Sequence, residues 1–180
     1  QLVGNENIPV LAAGGIADGS VMASMMSLGC GGVVLGTRLW ASKEALGFEA
    51  YKQALVDAPG CDGVVRTRSF DTIWNSYRDV KWPYPYDSSG VLRNEITEKW
   101  DTEQSQLEAE LENDPSWLDE FKAANEKGDP SLGAVFCGEG VGQIGSIESA
   151  YDIVTKVNDD AREQIDDAVL LIADHSEDDY

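Results

Sequence analysis

Two short apolar runs, each ended by glycine, constrain the fold of this 180-residue chain more than any other feature. The first run, residues 8–13 (IPVLAA), stops at Gly14-Gly15, and the second, residues 32–35 (GVVL), stops at Gly36-Thr37. Apolar runs of this length are typical of parallel strands buried on both faces. A helical pattern follows each run, so the sequence predicts the order β-α-β-α and an α/β fold. The helical patterns cover residues 20–28 and 43–56.

The two glycine turns have a functional interpretation because of where parallel strands end. Neighbouring parallel strands place their carboxyl ends side by side, so backbone N–H groups from both turns can converge on one anion. Glycine permits the close approach, and the (β/α)8 barrel has a recurrent phosphate site after its seventh and eighth strands. Alternatively, the glycines only permit tight turns, which often need a positive φ. The residues of the two turns are Gly14, Gly15, Gly36 and Thr37.

The remainder of the chain divides into segments by composition. Residues 60–70 can hold a third strand or an extended arm, and the prolines of WPYPY (82–86) favour an extended connection. Asp114 before Pro115 predicts a helix start, and Ser146 is predicted to cap the last helix. The predicted segments are βα units over 1–70, a connecting arm over 71–100, helices with a glycine-rich loop that packs back on the barrel over 101–157, and an acidic tail over 158–180.

The charge of the chain excludes several classes of partner. It has 33 acidic and 13 basic residues and a formal net charge of −20. Nucleic acids and anionic lipid surfaces attract clustered Lys and Arg, so neither is an expected partner. No acidic run has the ligand spacing of a calcium loop, and no metal site is predicted.

The three cysteines predict a reducing compartment. Cys30, Cys61 and Cys137 are widely spaced and odd in number, which fits neither a disulfide framework nor a paired CxxC metal site. No apolar run approaches the roughly 20 residues that a membrane span needs. A cytoplasmic protein is therefore expected.

Five stretches, in order, resemble the C-terminal half of the nitronate monooxygenases, also called 2-nitropropane dioxygenases. They are AAGGIADG, GVVLGTRLWASKEA, VVRTRSFDTIWN, WPYPYDSSGVLRN and GEGVGQIGSIESA, and the resemblance covers residues 6–157. It implies an FMN-dependent enzyme with a TIM-type (β/α)8 barrel that oxidises alkyl nitronates with O2 to carbonyl compounds and nitrite. It also implies that Gly14, Gly15, Gly36 and Thr37 cradle the FMN phosphate, and that the loop 138–143 lies near the flavin.

The chain departs from the family pattern in its histidines. The family carries a histidine base upstream of the GGI strand, whereas His175, in an acidic context (ADHSEDD), is the one histidine here. We interpret His175 as a solvated residue, and no catalytic residue is assigned. A complete (β/α)8 barrel needs roughly 250 residues, so the chain is expected to contain only the last βα units and to be inactive alone.

Two further groups of residues allow two interpretations each. Arg66 and Arg68 can bind a substrate anion or the flavin phosphate, but a surface position or pairing with carboxylates is the favoured interpretation in so acidic a chain. Four aromatic residues can form a wall beside the flavin ring, but packing of an irregular arm onto the barrel is favoured. They are Trp74, Trp82, Tyr84 and Tyr86.

Two other functions remain open from the sequence. The first is another FMN barrel oxidoreductase, such as an enoyl reductase or an IMP-dehydrogenase-like protein. The second is a non-catalytic remnant or interaction module whose acidic tail binds a basic partner.

Overall fold

A computed structural model describes residues 8–79 and 81–174 as a mixed α/β fold. Strand β1 (Leu11–Ala13) pairs in parallel with β2 (Gly32–Val34), and helix α1 (Gly19–Ser27) connects them. The predicted β-α-β order is therefore confirmed. Asp18 begins α1 by accepting a 3.0 Å hydrogen bond from the backbone N–H of Val21, the usual role of an N-cap aspartate.

The prediction that these strands are buried on both faces is wrong for the described residues. Leu11 is 54% exposed and Val34 is 48% exposed. The apolar runs correctly indicated parallel strands, but the described part of the chain supplies only two of them to this sheet. Their apolar side chains therefore face open space on this chain.

The segment after β2 contains two helices and then an antiparallel pair of strands with a third helix between them. Helix α2 (Thr37–Trp40) is short, and α3 (Glu49–Val56) begins six residues later than the pattern predicted. Strand β3 (Val64–Thr67), helix α4 (Ser69–Tyr77) and strand β4 (Ser89–Leu92) follow. Strands β3 and β4 are antiparallel, with Arg66 opposite Gly90 and Thr67 opposite Ser89.

Residues 71–100, predicted as an extended arm, contain regular structure at both ends. They include most of α4, all of β4 and helix α5 (Glu95–Trp100), which Asn94 begins with a capping box. The irregular part that the prolines predict is the loop 81–88. Asp87 in this loop forms an ion pair with Arg68, which fixes the loop beside α4.

The next helices enclose the larger of two apolar cores. Helix α6 (Gln104–Asn113) precedes Asp114-Pro115, where the predicted start is confirmed, and α7 (Leu118–Lys127) ends at Gly128 with φ 71°. Side chains from β3, β4 and α4 to α7 form this core, among them Phe70, Ile73, Val91, Leu107 and Phe121. A second core lies between α3, β4 and the glycine-rich segment, and includes Leu55, Val135, Cys137 and Val141.

The last helix returns to the first one. Helix α8 (Ala150–Asp174) starts at Ser149, whose Oγ accepts a 3.0 Å hydrogen bond from the N–H of Asp152, so Ser146 is not its cap. The helix continues through residues 158–174, which the sequence assigned to an acidic tail; His175 lies outside the described residues. Along α8, Gln164 Nε2 donates a 2.7 Å hydrogen bond to Ser20 Oγ of α1.

The α/β unit consists of β1, α1, β2, α2 and α8. Residues 43–147 form a long segment between α2 and α8, and its two ends lie side by side at this unit. Ser42 and Glu148 form an isolated parallel β-bridge, and the N–H of Lys43 donates a 2.9 Å hydrogen bond to the carbonyl of Glu148. We refer to residues 43–147 as the inserted segment. Across residues 8–79 and 81–174, no helix combines the length and apolar character that a membrane span requires.

We predict that Gly19→Ala destabilises the protein by about 1–3 kcal/mol. A Cβ at Gly19 would lie 2.6 Å from the backbone N of Ala161 on α8, so the two helices would have to separate. The free energy of unfolding, measured by urea denaturation, tests this. Gly31→Ala is the matched control, because its Cβ would meet atoms only at 3.5 Å or more. An equal loss in both variants would contradict the close α1–α8 contact.

Candidate functional site

The two glycine turns lie next to each other at the carboxyl ends of β1 and β2. Ala13 is paired with Val34, so Gly14-Gly15 and Gly36-Thr37 follow neighbouring ends of the parallel pair. Gly14 and Gly15 have φ values of 93° and 68°, a region that glycine enters without strain. The first pair therefore makes a turn that favours glycine. This geometry does not exclude phosphate binding, because the same turns leave space beside them.

That space is visible from what a side chain would meet. A Cβ added at Gly14, Gly15 or Gly36 would have no heavy atom within 4 Å. The N–H groups of Gly15, Gly36 and Thr37 donate to no acceptor in the described part of the chain. The turns therefore combine open volume with unused backbone donors, the combination that an anion requires. We refer to Gly14, Gly15, Gly36 and Thr37 as the glycine cradle.

The glycine-rich loop closes against the glycine cradle from 101 residues away in sequence. The N–H of Gly138 donates a 2.9 Å hydrogen bond to Oγ1 of Thr37. A Cβ on Gly140 would lie 3.1 Å from the carbonyl C and O of Gly15, so a side chain there would push against the backbone of the turn. The structure thus brings the loop 138–143, which includes the 3₁₀ turn Glu139–Gln143, to the cradle.

Nearby charged groups are turned away from the glycine cradle or already paired. Arg38, next to Thr37, is buried and donates to the carbonyl of Ser146 at 3.1 Å, and it forms an ion pair with Glu148 at 3.3 Å. Burial lowers the pKa of the Arg38 guanidinium, and the Glu148 carboxylate opposes this shift. The amino end of α1 is capped by the Asp18 carboxylate. The cradle therefore offers an anion backbone N–H groups and not a side-chain cation.

An open groove of about 510 Å³ leads away from the glycine cradle. Ser89 and Phe136 belong both to this groove and to a larger one of about 740 Å³, so the two grooves adjoin at these residues. Nothing in the sequence indicated that Ser89, Phe136 or Cys137 would lie here, because each is more than 50 residues from the cradle turns. The smaller groove is lined by Gly36, Thr37, Trp40, Ser89, Gly90, Phe136 and Cys137.

The larger groove, which we call the aromatic groove, lies between α4, the antiparallel strands β3 and β4, and the loop 81–88. Its wall combines four aromatic rings with three charged groups, Arg66, Asp71 and Arg78. The rings are those of Trp74, Trp82, Tyr86 and Phe136. Trp82 is 67% exposed and Tyr86 is 70% exposed, so the expectation that these rings pack into the body of the protein is wrong for the loop.

The two arginines of the RTR stretch have different environments. Arg68 forms the ion pair with Asp87 and lies over the Tyr84 ring, 5.9 Å from its centroid. Arg66 donates only to the carbonyl of Ser88, at 3.2 Å. The favoured interpretation was a surface position or pairing with a carboxylate. Arg68 pairs with the Asp87 carboxylate and Arg66 is exposed at the surface, so the interpretation is confirmed for both.

Several polar groups in the aromatic groove are buried. Burial raises the pKa of Asp71, and the neighbouring Asp87 carboxylate raises it further. The Ser89 side chain opposes this shift by hydrogen bonding to the Asp71 carboxylate. Trp74 Nε1 is buried and lacks a hydrogen-bond partner within the described residues. Buried polar groups are normally paired, so this N–H is a donor that the described part of the chain does not use.

Comparison with known proteins identifies the family. A family model described as nitronate monooxygenase matches residues 1–160. The chain belongs to the nitronate monooxygenase family. The resemblance inferred from the sequence is therefore confirmed.

Two relatives named as nitronate monooxygenases are more than twice as long as the part that matches this chain. Nitronate monooxygenase npaC from Metarhizium robertsii is 31% identical over 167 residues, which are 89% of this chain and 43% of that protein. A nitronate monooxygenase from Neurospora crassa is 32% identical over 168 residues, covering 88% of this chain and 39% of the relative. The chain thus spans less than half the length of these curated relatives.

Two solved structures are similar in fold to this chain over less than half of their own length. FabK from Thermotoga maritima is similar with a TM-score of 0.63 and 28% identity, over 90% of this chain and 47% of FabK. A nitroalkane oxidase from Streptomyces ansochromogenes has a TM-score of 0.65 over 91% of this chain and 42% of its own. Its 23% identity supports a likeness of fold alone.

The three cysteines of this chain are free thiols in three different environments. Cys61 is exposed, Cys30 is half-buried and Cys137 is buried beside the glycine cradle. Burial raises the pKa of the Cys137 thiol to about 12, so it stays protonated at neutral pH and is a poor nucleophile.

We predict that iodoacetamide at neutral pH alkylates Cys61 readily and leaves Cys137 unmodified in the folded protein. Peptide mapping by mass spectrometry measures the modified fraction at each position. Denaturation in urea before alkylation is the control and should expose Cys137. Equal labelling of both thiols without urea would contradict the buried position of Cys137.

Proposed function

We propose that this chain supplies the phosphate-binding part of an FMN-dependent nitronate monooxygenase, which oxidises alkyl nitronates with O2 to carbonyl compounds and nitrite. The observation that carries the proposal is the meeting of two glycine turns at one edge of a parallel strand pair. Membership of the nitronate monooxygenase family supports the reaction class. The FMN phosphate and the four cradle residues are our assignment.

The glycine cradle fits a phosphate by its chemistry. The open Cβ positions at Gly14, Gly15 and Gly36 leave the volume that a phosphate group would fill. The unused N–H groups nearby suit its oxygens, since backbone donors of successive residues form anion-binding concavities. Glycine and threonine bring no negative charge, which matters in a chain of net charge −20. The residues present therefore fit FMN.

The remaining elements near the glycine cradle position ligands and exclude water. Flavin, when bound, supplies the redox chemistry of nitronate oxidation. Trp40 and Phe136 give the groove beside Thr37 an apolar wall. Oxidation of a nitronate needs no base from this chain, because a nitronate has already lost its α-proton. No histidine lies in the described ranges, so a histidine base for a neutral nitroalkane would lie outside them.

We further propose that β1 and β2 are the last two strands of a TIM-type (β/α)8 barrel. The half-exposed Leu11 and Val34 support this, since barrel strands are covered on both faces. The match to about two-fifths of each curated relative is consistent with a C-terminal part. On this proposal the chain alone binds FMN weakly and does not turn over, because most of the barrel is missing.

The likeness to FabK favours a second candidate, another flavin-dependent barrel oxidoreductase. A nicotinamide cofactor would then reduce the flavin, whereas nitronate oxidation needs none. Reduction of bound flavin by NADH or NADPH without nitrite formation from nitronates would favour this candidate.

The phosphate assignment predicts that the protein binds FMN about tenfold or more tightly than riboflavin, which lacks the phosphate. Gly36→Asp should remove this difference, because its carboxylate would enter the glycine cradle and repel the phosphate. Quenching of flavin fluorescence on titration measures both dissociation constants.

The control for Gly36→Asp is Gly145→Asp, which adds the same charge at a position where a Cβ also meets nothing within 4 Å. It should retain the preference for FMN. Equal binding of riboflavin and FMN by the unmodified chain would overturn the phosphate assignment.

The nitronate assignment predicts nitrite release and O2 consumption from propane-2-nitronate. The protein for this test is the chain extended on its amino-terminal side to the length of its relatives and loaded with FMN. A colorimetric nitrite assay and an oxygen electrode measure the two rates. FMN-loaded protein that forms no nitrite from alkyl nitronates would contradict the assignment.

A further inference from the structure

We propose that the aromatic groove binds the planar two-oxygen anion of a small organic substrate, with Arg66 and Arg78 as its guanidinium partners. Carboxylates and nitronates share this shape, in which two oxygens on one planar centre match the fork of a guanidinium group. The identity of the natural substrate as a nitronate rests on the proposed function. The anion site itself is argued from the groove.

The charge balance of the groove supports an anionic ligand. Arg66 and Arg78 line it opposite one carboxylate, that of Asp71, so its charged lining has a positive excess in a chain of net charge −20. Within residues 8–79 and 81–174, neither arginine forms an ion pair at contact distance, whereas Arg68 is paired with Asp87. The Asp71 carboxylate interacts electrostatically with Arg78 but does not contact it. The N–H groups of both guanidinium groups thus remain available in one groove.

Neighbouring groups hold both arginines in place. Arg66 Nη2 donates to the carbonyl of Ser88 in the loop that forms the groove wall. The Arg78 guanidinium lies 4.5 Å from the centroid of the Trp74 ring and 5.7 Å from that of Tyr77. Stacking on an aromatic face holds the guanidinium plane while its N–H edges remain available for bidentate hydrogen bonds. The fork is therefore positioned before a ligand arrives.

The groove also has a place for an organic body. Trp82 and Tyr86 expose large aromatic surfaces toward a volume of about 740 Å³, which is within the range of small-molecule sites. Trp74 Nε1, which has no partner within the described residues, can donate a hydrogen bond to the same ligand. An anion with an apolar or aromatic body uses all of these features.

The position of the groove connects this site to the glycine cradle. Ser89 and Phe136 line both the aromatic groove and the smaller groove that begins at Gly36 and Thr37. A substrate anchored by Arg66 and Arg78 would therefore lie in the space that leads to the proposed cofactor. The two arginines act as binding and positioning residues.

Isothermal titration calorimetry of the full chain with benzoate and with propane-2-nitronate tests the site. Benzamide is the neutral probe of similar shape to benzoate. Both anions should bind, benzamide should bind at least about tenfold more weakly than benzoate, and Arg66→Gln or Arg78→Gln should each weaken anion binding about tenfold. Arg78→Lys keeps the charge but loses the fork, so it should give an intermediate value.

Arg162→Gln is the matched control, because it removes the same charge from an exposed position on α8. Both groove arginines are also exposed, so their variants should keep the far-ultraviolet circular dichroism of the parent chain. Equal loss of anion binding in Arg162→Gln would overturn the proposal by showing a general charge effect. Unchanged anion binding in an Arg66→Gln, Arg78→Gln double variant would also overturn it.

The two proposals fail in different ways. Arginine-dependent binding of both anions, without FMN binding or nitrite formation, would uphold the groove and reject the nitronate function. FMN binding and nitronate turnover with unchanged KM in both arginine variants would do the reverse. Arginine-dependent binding of benzoate but not of propane-2-nitronate would show that the groove takes a carboxylate and would overturn its role in holding a nitronate.

Discussion

The parallel pairing of β1 with β2 is the constraint on which the candidate site depends. It sets Ala13 beside Val34, and only this register brings the two glycine turns to neighbouring positions. The glycine-rich loop then has a surface to close on, through the bond from Gly138 to Thr37 and the close contact of Gly140 with Gly15. Sliding one strand by one residue relative to the other would move the two turns apart. It would also turn the side chains of the shifted strand to the opposite face of the sheet.

Sequence reasoning succeeded where the signal was local. Strand, turn and helix order around Gly14 and Gly36 and the helix start at Asp114 each depend on a few adjacent residues. It failed where the outcome depended on distant partners. The burial predicted for β1 and β2 depends on neighbours that the described residues do not supply, and the start of α8 at Ser149 instead of Ser146 depends on where the chain rejoins the α/β unit.

The candidate site shows the same division. The four glycine cradle residues could be chosen from spacing, but the grooves could not, because β4 and the segment around Phe136 reach them only through the tertiary fold. The difference between Arg66 and Arg68 is of this kind. The Asp87 carboxylate pairs with Arg68, whereas Arg66 lines the aromatic groove. Composition alone gives one interpretation for both arginines.

The bridge between Ser42 and Glu148 has an evolutionary consequence. Because the inserted segment leaves and re-enters at adjacent residues, changes in its length away from the loop 138–143 do not require the flanking elements to move. The aromatic groove is lined by residues of the inserted segment, whereas the four residues of the glycine cradle lie outside it and contact it through the loop 138–143. Substitutions in the wall of the groove can therefore alter its ligand preference in the course of evolution without replacing a cradle residue.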